Sequence, residues 1–365
     1  MVITIATVMT GCGTNEGPKV TSGLSTQTSA NQSSTQTASA KDAAVQTSVD
    51  GYVATVGEQK ITKDEFQFFL VPIMNQMEQQ ANVTDEEAKK TFWESSSEGQ
   101  KPLEVAKEQA LKTGQEFIIQ LMKAKESGLV ADQAEIDKMT EQIDTYIKSY
   151  GTEAGTDGTK EFEAINGISV KSFKAIYNDV VLVQKFTNEE LKKYQASDSE
   201  MKKYFDDNIQ KYQTVTVKHV LFLTQDSNTK QPLPQDKQDV AKKKAEDILA
   251  QVKAGADIAA LAKQHSEDPG SKDNGGQYNF PRGQMVKEFE DWSFGAKVGD
   301  VGLVKTDYGY HVIKLEKIVG FNDVKEDIKK EVVSKKYYDM LEQWKNDAKY
   351  KLTNNSSVYD SIGVN

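Results

Sequence analysis

The amino-acid sequence predicts an α+β protein, in which a small and mostly antiparallel sheet with its own helices lies between helical segments. Strands are predicted at 217–223 and 309–315, because apolar side chains recur there with the two-residue period of a strand. Helices are predicted on both sides, because apolar residues recur at three- and four-residue spacing through much of 62–186 and again through 323–352. The last helix follows a complete sheet domain, so its apolar face needs another surface to pack on.

Composition and charge place the chain among ordinary soluble proteins and argue against several kinds of partner. A length of 365 residues predicts two or three domains, and 37% hydrophobic with 27% charged residues is typical of a globular chain. The net charge of −10 and the lack of a basic patch argue against nucleic acid as a partner. Arg282 is the only arginine, which argues against a phosphate or carboxylate clamp built from guanidinium groups.

The N-terminal segment has the pattern of a lipid-attachment signal. Cys12, the only cysteine, follows an apolar run that ends in small residues and looks like a bacterial lipobox. We therefore expect residues 1–11 to be a signal segment that is removed, and the sulfur of Cys12 to carry a diacylglycerol. A cytosolic start that happens to be apolar would explain the same residues without a lipid.

Residues 12–50 are expected to form the lipidated cysteine and a disordered tether. The stretch is rich in serine, threonine, glutamine and alanine, and it has too few large apolar side chains to bury a core. A flexible chain of this length has a root-mean-square reach of roughly 35 Å, enough to hold a folded domain clear of a membrane surface. A plain disordered N-terminus is the simpler alternative.

A mainly helical region is predicted from residue 51. It opens with a hairpin that turns at Gly57-Glu58, and a capping box of Thr62 and Glu65 then starts a helix that Pro72 should kink or end. Further helices are predicted at 102–127, 132–150, 160–165 and 169–186. Further capping boxes are predicted at Thr84–Glu87, Thr187–Glu190 and Ser197–Glu200. The region is acidic and has no cluster of catalytic side-chain types.

The sheet domain is predicted to start near Thr214. After the strand at 215–223 come helices at about 236–254 and 257–265, and then a glycine bend at 275–276. The inner face of the first helix is predicted to consist of Val240, Ala241, Ala245, Ile248, Leu249 and Val252. Two of the three histidines in the chain, His219 and His311, lie on the apolar faces of the two predicted strands.

Four motifs occur in an order that resembles the parvulin family of peptidyl-prolyl isomerases. They are KHVLF, SEDPGSKDNGGQ, PRGQMVKEFEDWSF and TDYGYH, and they fall within residues 214–320. The layout of the whole chain is similar to that of PrsA-type extracytoplasmic foldase lipoproteins, and VATVGEQKITKDEF resembles the start of the chaperone-like N-domains of PrsA and SurA proteins.

This resemblance implies a domain organisation. The helix near 321–352 should pack back on the N-terminal region, so that a parvulin-like domain (214–320) is inserted in a helical SurA/PrsA-like chaperone domain (51–213 plus 321–352). Residues 353–365 should form a loose tail.

The resemblance also implies the residues of an isomerase site. His219, Asp268 and His311 match catalytic positions, while Met285 and Phe289, one helical turn apart, match the positions that hold the proline ring. The wall and border of that pocket should be completed by Phe280, Thr306 and Tyr308. Each residue also has a plainer explanation as core packing, a structural histidine pair or a turn before Pro269. His265 is expected to pack on its helix face.

Two departures from the family pattern affect the expected site. Gln277, Tyr278 and Asn279 stand where many parvulins have G-G-D-L-G, and the segment is one residue shorter before PRGQM, so the edge of the proline pocket should differ. Nothing matches the basic cluster of phosphate-directed parvulins, so we expect no requirement for phosphoserine or phosphothreonine. We also expect no metal and no cofactor, because no metal-ligand spacing and no phosphate loop occur.

These observations predict a lipid-anchored peptidyl-prolyl cis–trans isomerase and chaperone at the outer face of a bacterial membrane. Its partners should be unfolded or partly folded exported proteins with X-Pro bonds, and the membrane through the lipid. The oligomeric state is left open, a dimer included. The main alternative is a non-enzymatic holdase with a catalytically weak parvulin-like domain. A substrate-binding lipoprotein of a transporter is less consistent, since the sequence lacks βαβ repetition.

Overall fold

The computed structural model describes residues 51–96, 99–151 and 157–363. Cys12, the predicted signal segment and the predicted tether lie outside the described residues. The described residues divide into two compact units, a helical unit (within 51–193 and 337–363) and a sheet unit (Tyr194–Lys336). The predicted fold class is confirmed, because a small antiparallel sheet domain interrupts a helical domain in the sequence.

The secondary structure follows the predicted order, with several changes of boundary. The first elements are β1 (Tyr52–Val56), β2 (Gln59–Thr62), α1 (Lys63–Gln80), α2 (Glu86–Glu94), α3 (Pro102–Glu126), α4 (Gln133–Lys148), α5 (Thr159–Asn166) and α6 (Val170–Leu191). The middle elements are α7 (Asp198–Asp207), α8 (Ile209–Tyr212), β3 (Thr214–Leu223), α9 (Gln235–Lys253), α10 (Ile258–His265), β4 (Gln277–Pro281), α11 (Lys287–Gly295), β5 (Val301–Lys305) and β6 (Gly309–Val319). The last are α12 (Phe321–Lys345), β7 (Leu352–Asn354) and α13 (Ser356–Tyr359).

The hairpin of β1 and β2 forms a three-stranded sheet with β7, in the order β2-β1-β7. Gly57 turns the hairpin with a φ of +57°, and its N–H donates to the carbonyl of Lys351 at 3.0 Å. A Cβ at Gly57 would lie only 2.2 Å from the carbonyl oxygen of Lys349. The turn therefore requires glycine twice, for the left-handed backbone and for the close approach of the C-terminal segment.

Pro72 does not end α1, which was one of the two outcomes predicted for it. The helix runs from Lys63 to Gln80 with the proline inside it. Both neighbouring turns are held by the core, since Phe66 to Leu70 are buried on one side and Ile73, Met74 and Met77 pack on the same core on the other. This packing outweighs a cost of about 3 kcal/mol for proline in a helix interior.

The capping predictions hold at two sites and fail at two. Both hydrogen bonds of a capping box occur at Thr62–Glu65 and at Ser197–Glu200. At Thr84 the prediction is wrong, because the side chain of Asp85, one residue later, accepts the N–H of Ala88 at 2.8 Å. At Thr187 it is also wrong, because α6 continues to Leu191 and the Thr187 hydroxyl bonds Oε1 of Gln120 at 3.1 Å.

The sheet of the sheet unit has the order β4-β3-β6-β5, and all its pairs are antiparallel. Helices α9 and α10 cover one face, where the buried residues are Val220, Phe222, Ala241, Ala245, Ile248, Val252, Ile258, Leu261, Ala262 and Val312. Helix α11 covers the other, where they are Val215, Val217, Phe280, Phe289, Val304, Ile313 and Leu315. Strand β3 is buried on both faces, as a central strand must be. Val240, predicted to face inward, is 52% exposed, because Ala241 occupies the inner position instead.

The units divide at positions other than those predicted at 213/214 and 320/321. Helix α7 and the first part of α12 belong to the sheet unit, where Met201, Phe205, Ile328 and Val332 form a common buried cluster. The later residues of α12 belong to the helical unit, and Leu341 is part of its core. The apolar residues of this helix are therefore divided between two cores.

The prediction of a loose tail at 353–365 is wrong for its described part. Strand β7 pairs with β1, opposing Ala54 to Asn354 and Val56 to Leu352. The side-chain amide of Asn355 donates to the carbonyl of Tyr52 at 2.9 Å, and Ile362 is buried in the core of the helical unit. The segment is polar because one side faces solvent, whereas its backbone completes a sheet.

Replacement of Gly57 by alanine should destabilise the helical unit by more than about 2 kcal/mol. An added Cβ would meet the Lys349 carbonyl, and the left-handed backbone adds a strain of order 1 kcal/mol. Gly128→Ala is the matched control, since Gly128 also has a positive φ but has open space around its Cβ position. Urea titration of both variants measures the free energy of unfolding. Equal losses in the two variants would contradict a steric role of the C-terminal segment.

Candidate functional site

The pairing of β3 with β6 places the two histidines side by side. Leu221 lies opposite His311 and His219 lies opposite Ile313, so the histidines are diagonal neighbours on the same face of the sheet. Their rings stack with centroids 5.4 Å apart and an interplanar angle of 20°. His219 is 2% exposed and His311 is 5% exposed, so both need internal hydrogen-bond partners.

A continuous row of hydrogen bonds satisfies the two imidazoles. Nδ1 of His219 lies 3.2 Å from Nδ1 of His311. At one end, Nε2 of His219 lies 3.0 Å from Oδ2 of Asp268, and at the other, Nε2 of His311 lies 2.8 Å from Oγ1 of Thr306. The row brings together four of the residues predicted to form the site.

The order of donors along this row follows from its carboxylate end. An ionised Asp268 can only accept, so Nε2 of a neutral His219 donates to it and Nδ1 of His219 becomes an acceptor. His311 then donates through Nδ1, and its Nε2 accepts the hydroxyl hydrogen of Thr306. The oxygen of Thr306 in turn accepts the backbone N–H of Tyr308 at 3.2 Å. In this order every donor in the row has one acceptor.

Asp268 lies in the loop between α10 and β4, among several donors. Oδ1 accepts the N–H of Gly270 at 3.1 Å, and Oδ2 accepts the hydroxyls of Ser271 and of Tyr278, the latter at 2.9 Å. Burial alone would raise the pKa of the carboxyl, but the hydrogen bonds from His219, Ser271, Gly270 and Tyr278 hold it well below its usual range. Asp268 is therefore ionised throughout the physiological pH range.

His311 is neutral in the folded protein. Burial is the main cause that lowers the pKa of His311 from about 6.5 to about 3. His311 is therefore neutral at physiological pH and acts as a fixed donor and acceptor.

An apolar wall stands against the histidine pair. The ring of Phe289 meets both imidazoles edge-on, with centroids 5.3 Å from His219 and 5.2 Å from His311. Met285 and Tyr278 pack on the same cluster and keep part of their surface exposed. These two side chains give the site an accessible apolar surface.

Two predicted members of the pocket occupy different places from those expected. Met285 precedes α11, which begins at Lys287, so it does not lie one helical turn before Phe289; the two meet because the PRGQM turn folds onto the same cluster. Phe280 is fully buried, with its ring 5.9 Å from those of both Phe289 and Phe294. It supports the wall from behind and offers no surface to a ligand.

Thr306 and Tyr308 border the histidine pair at the turn between β5 and β6. Thr306 is buried and reaches His311, whereas the side chain of Tyr308 is 46% exposed and joins the site through its backbone N–H. His265 is exposed at the end of α10 and contributes no packing to the buried cluster there, so its predicted packing role is wrong.

Sequence reasoning missed two contributors, Ser271 and Tyr278. Oγ of Ser271 lies 2.9 Å from Nε2 of His219 and also donates to Asp268. Nothing in the pattern of a polar loop marks this serine. Tyr278 was noted only as a departure at the pocket edge, and its contact with Asp268 across ten residues has no periodic signal.

Two open surface cavities of about 500 and 490 Å³ contain none of the predicted site residues. Within 51–363, excluding the gaps, no group of three or more His, Cys, Asp or Glu side chains is arranged to hold a metal ion. In the same ranges, no helix combines the length and apolar content that crossing a membrane requires.

Comparisons with known proteins point to one family. The family model for the PPIC-type PPIase domain matches residues 199–318. The foldase protein PrsA of Caldanaerobacter subterraneus subsp. tengcongensis is 31% identical over 302 residues, which cover 79% of this chain and 84% of that protein. The foldase protein PrsA of Geobacillus sp. (strain WCH70) is 52% identical over 99 residues, 26% of this chain and 36% of that protein.

A solved structure gives a weaker likeness. The crystal structure of the peptidylprolyl isomerase PrsA from Bacillus cereus shares 23% sequence identity and covers 71% of this chain and 95% of its own. The TM-score is 0.30, too low to equate individual positions.

The sheet unit should lose stability as the pH falls below about 6.5. Between the unfolded pKa of histidine near 6.5 and the folded value of about 3, the unfolded chain binds a proton at His311 that the folded chain does not. The free energy of unfolding should therefore fall by up to about 2 kcal/mol between pH 7 and pH 5. The lowered pKa of Asp268 adds a loss only at still lower pH, as the unfolded carboxyl near 3.9 takes up its proton.

Urea titrations at pH 8, 6.5 and 5, followed by NMR signals of β3 and β6, measure this dependence. His311→Asn should show a flatter pH profile than the wild type over that range. His265→Asn, which removes the exposed histidine at the end of α10, should keep the wild-type profile. Parallel losses in the wild type and His311→Asn would show that another group is responsible.

Proposed function

We propose, because the chain belongs to the PrsA foldase family, that the hydrogen-bonded row of Asp268, His219, His311 and Thr306 is the polar centre of an isomerase site. The chain is a peptidyl-prolyl cis–trans isomerase of the parvulin type with a chaperone function. We assign the partly exposed Met285 to the contact with the proline ring, and the buried Phe289, which is 3% exposed, to the wall behind it. The observation that carries the assignment is the contact of Phe289 with both imidazoles, which brings an apolar wall and a polar row together.

The reaction does not require the protein to form or break a covalent bond. Rotation about an X–Pro amide has a barrier of about 18–20 kcal/mol and breaks no bond, so the site must bind the twisted amide better than either planar form. Acceleration by three to five decades requires about 4–7 kcal/mol of such preference. An apolar surface that holds the ring and a few fixed polar groups near the amide can supply this amount.

The polar row acts through fixed dipoles in this proposal. His311 is held neutral and Asp268 is held ionised, so no group of the pair needs to exchange a proton during rotation. Because the groups are buried and fully hydrogen-bonded, they need not reorganise when the amide loses its resonance. Met285 and the partly exposed ring of Tyr278 provide the surface that the substrate reaches first.

The only arginine of the chain is already engaged in contacts within the sheet unit, so it is not proposed to bind a phosphate group. Arg282, the only arginine, stacks on the ring of Phe294 with its guanidinium carbon 4.2 Å from the ring centre. Its Nε donates to the side chain of Gln213 at 3.1 Å. We propose that unmodified X-Pro segments of unfolded or partly folded exported proteins are the substrates.

The location and the anchor are part of the proposal. The family name and the lipobox pattern before Cys12 support an extracytoplasmic protein held at the outer face of a bacterial membrane by a lipid on that cysteine. A non-enzymatic holdase is not favoured, because the PPIC-type match and the PrsA relationship agree. The helical unit is proposed to hold clients while the sheet unit acts on proline.

Replacement of Met285 by alanine should lower kcat/KM about tenfold in a proline-limited peptide assay. The variant removes accessible apolar surface next to Phe289, and the loss of roughly 1.4 kcal/mol of transition-state binding corresponds to that factor. Met139→Ala, at a half-buried methionine of the helical unit, is the control and should keep the wild-type value. An unchanged rate in Met285→Ala would remove this residue from the proposed site.

Replacement of Cys12 by serine should release the protein from membranes. A thioether to diacylglycerol needs the cysteine sulfur, so labelling with palmitate and recovery in the membrane fraction should both be lost. The purified variant should keep the wild-type isomerase rate, because Cys12 is not among the residues proposed for the isomerase site. Membrane recovery equal to that of the wild type would exclude the lipid anchor at this residue.

A further inference from the structure

The hydroxyl of Tyr278 reaches the carboxylate of the site from the far edge of the sheet. Tyr278 lies on β4 opposite Val217, and directly opposed residues of an antiparallel pair project to the same face. This is the face that carries His219, whose ring lies 5.4 Å from that of Tyr278 with a tilt of 36°. From there the hydroxyl donates to Oδ2 of Asp268 at 2.9 Å.

The loop that carries Asp268 is shaped to receive this hydroxyl. A Cβ at Gly270 would lie 2.6 Å from the hydroxyl oxygen of Tyr278, which is closer than real Cβ contacts come. Gly270 therefore leaves the space that the hydroxyl occupies, and its own N–H donates to Oδ1 of Asp268 at 3.1 Å. The Tyr278 hydroxyl therefore fits the loop in two ways, through its hydrogen bond to Asp268 and through the space left at Gly270.

We propose that Tyr278 is a positioning residue of the isomerase site, whose hydroxyl fixes the Asp268 carboxylate and thereby the donor order of His219 and His311. The inference rests on the proposed assignment of that carboxylate and the two histidines to the site. It extends the assignment, since the sequence pattern gives Tyr278 no role.

One oxygen of the Asp268 carboxylate receives three donors. Oδ2 of Asp268 accepts from His219, Ser271 and Tyr278. Without the Tyr278 hydroxyl, this oxygen loses a donor and the carboxylate gains freedom to turn. Nε2 of His219 then has no single fixed acceptor, because Oγ of Ser271 lies equally near at 2.9 Å.

Loss of the Tyr278 hydroxyl would also change the hydrogen bonds of His219 and His311. A serine oxygen can either accept from Nε2 of His219 or donate to it, unlike an ionised carboxylate, which only accepts. His219 could then take the other tautomer, with its hydrogen on Nδ1 facing His311. Two donor orders would coexist where the wild type has one, and the dipoles at the site would no longer be fixed in one direction.

Tyr278→Phe in the full chain tests the proposal, because it removes the hydroxyl and keeps the ring. We expect kcat for a proline-limited peptide to fall about five- to tenfold with KM changed less than twofold. The ¹⁵N signals of His219 and His311 at pH 7 should change from one tautomer to a mixture, and the acid midpoint of the Asp268 carboxyl ¹³C signal should rise by about one pH unit.

Tyr310→Phe is the matched control. Tyr310 is a half-buried tyrosine on the neighbouring strand β6, and it packs on the opposite face of the sheet. This variant should keep the wild-type kcat, tautomers and carboxyl midpoint.

Two results would overturn the proposal. One is an unchanged kcat with unchanged histidine tautomers in Tyr278→Phe. The other is a reduced kcat with tautomers and carboxyl midpoint unchanged, which would assign Tyr278 a direct contact with substrate instead. If His219→Ala keeps the wild-type rate, the site assignment itself fails, and the NMR readouts still decide whether Tyr278 orders the row.

Discussion

The register between β3 and β6 is the constraint on which the rest of the site depends. Leu221 opposite His311 makes the two histidines diagonal neighbours, and a slip by one residue would send one imidazole to the opposite face of the sheet. The register is fixed by burial, because β3 has apolar side chains on both faces and each face is covered by its own helices. Packing of the core therefore determines the geometry of the polar groups.

Burial of the histidine pair is tolerated because the hydrogen-bond row is complete. An unpaired buried polar group costs about 1–3 kcal/mol, so each imidazole nitrogen in this sheet needs its partner. Asp268 and Thr306 supply the two ends, and the neutral state of His311 avoids the larger cost of burying a charge. Stability and site geometry thus depend on the same bonds.

The sequence predicted most of the elements, and the errors in that prediction have local physical causes. Alternation and helical spacing located β3, β6 and α3, and family motifs brought His219, Asp268 and His311 together. The relation of Met285 to Phe289 depends on where a helix begins, which spacing alone does not settle. Helix α1 continues through Pro72 because the turns on both sides of the proline pack on the core. The contact of Tyr278 depends on strand pairing and loop shape, neither of which a single sequence displays.

The pairing of β7 with β1 determines the order in which the two units can fold. The sheet unit is one continuous stretch, Tyr194–Lys336, so all its parts are available before the C-terminal residues emerge. The helical unit lacks its third strand and the core residues Tyr350 and Ile362 until the last part of the chain is delivered. During synthesis from the N-terminus the sheet unit can therefore fold first, and the helical unit can close only after residues 350–362 have emerged.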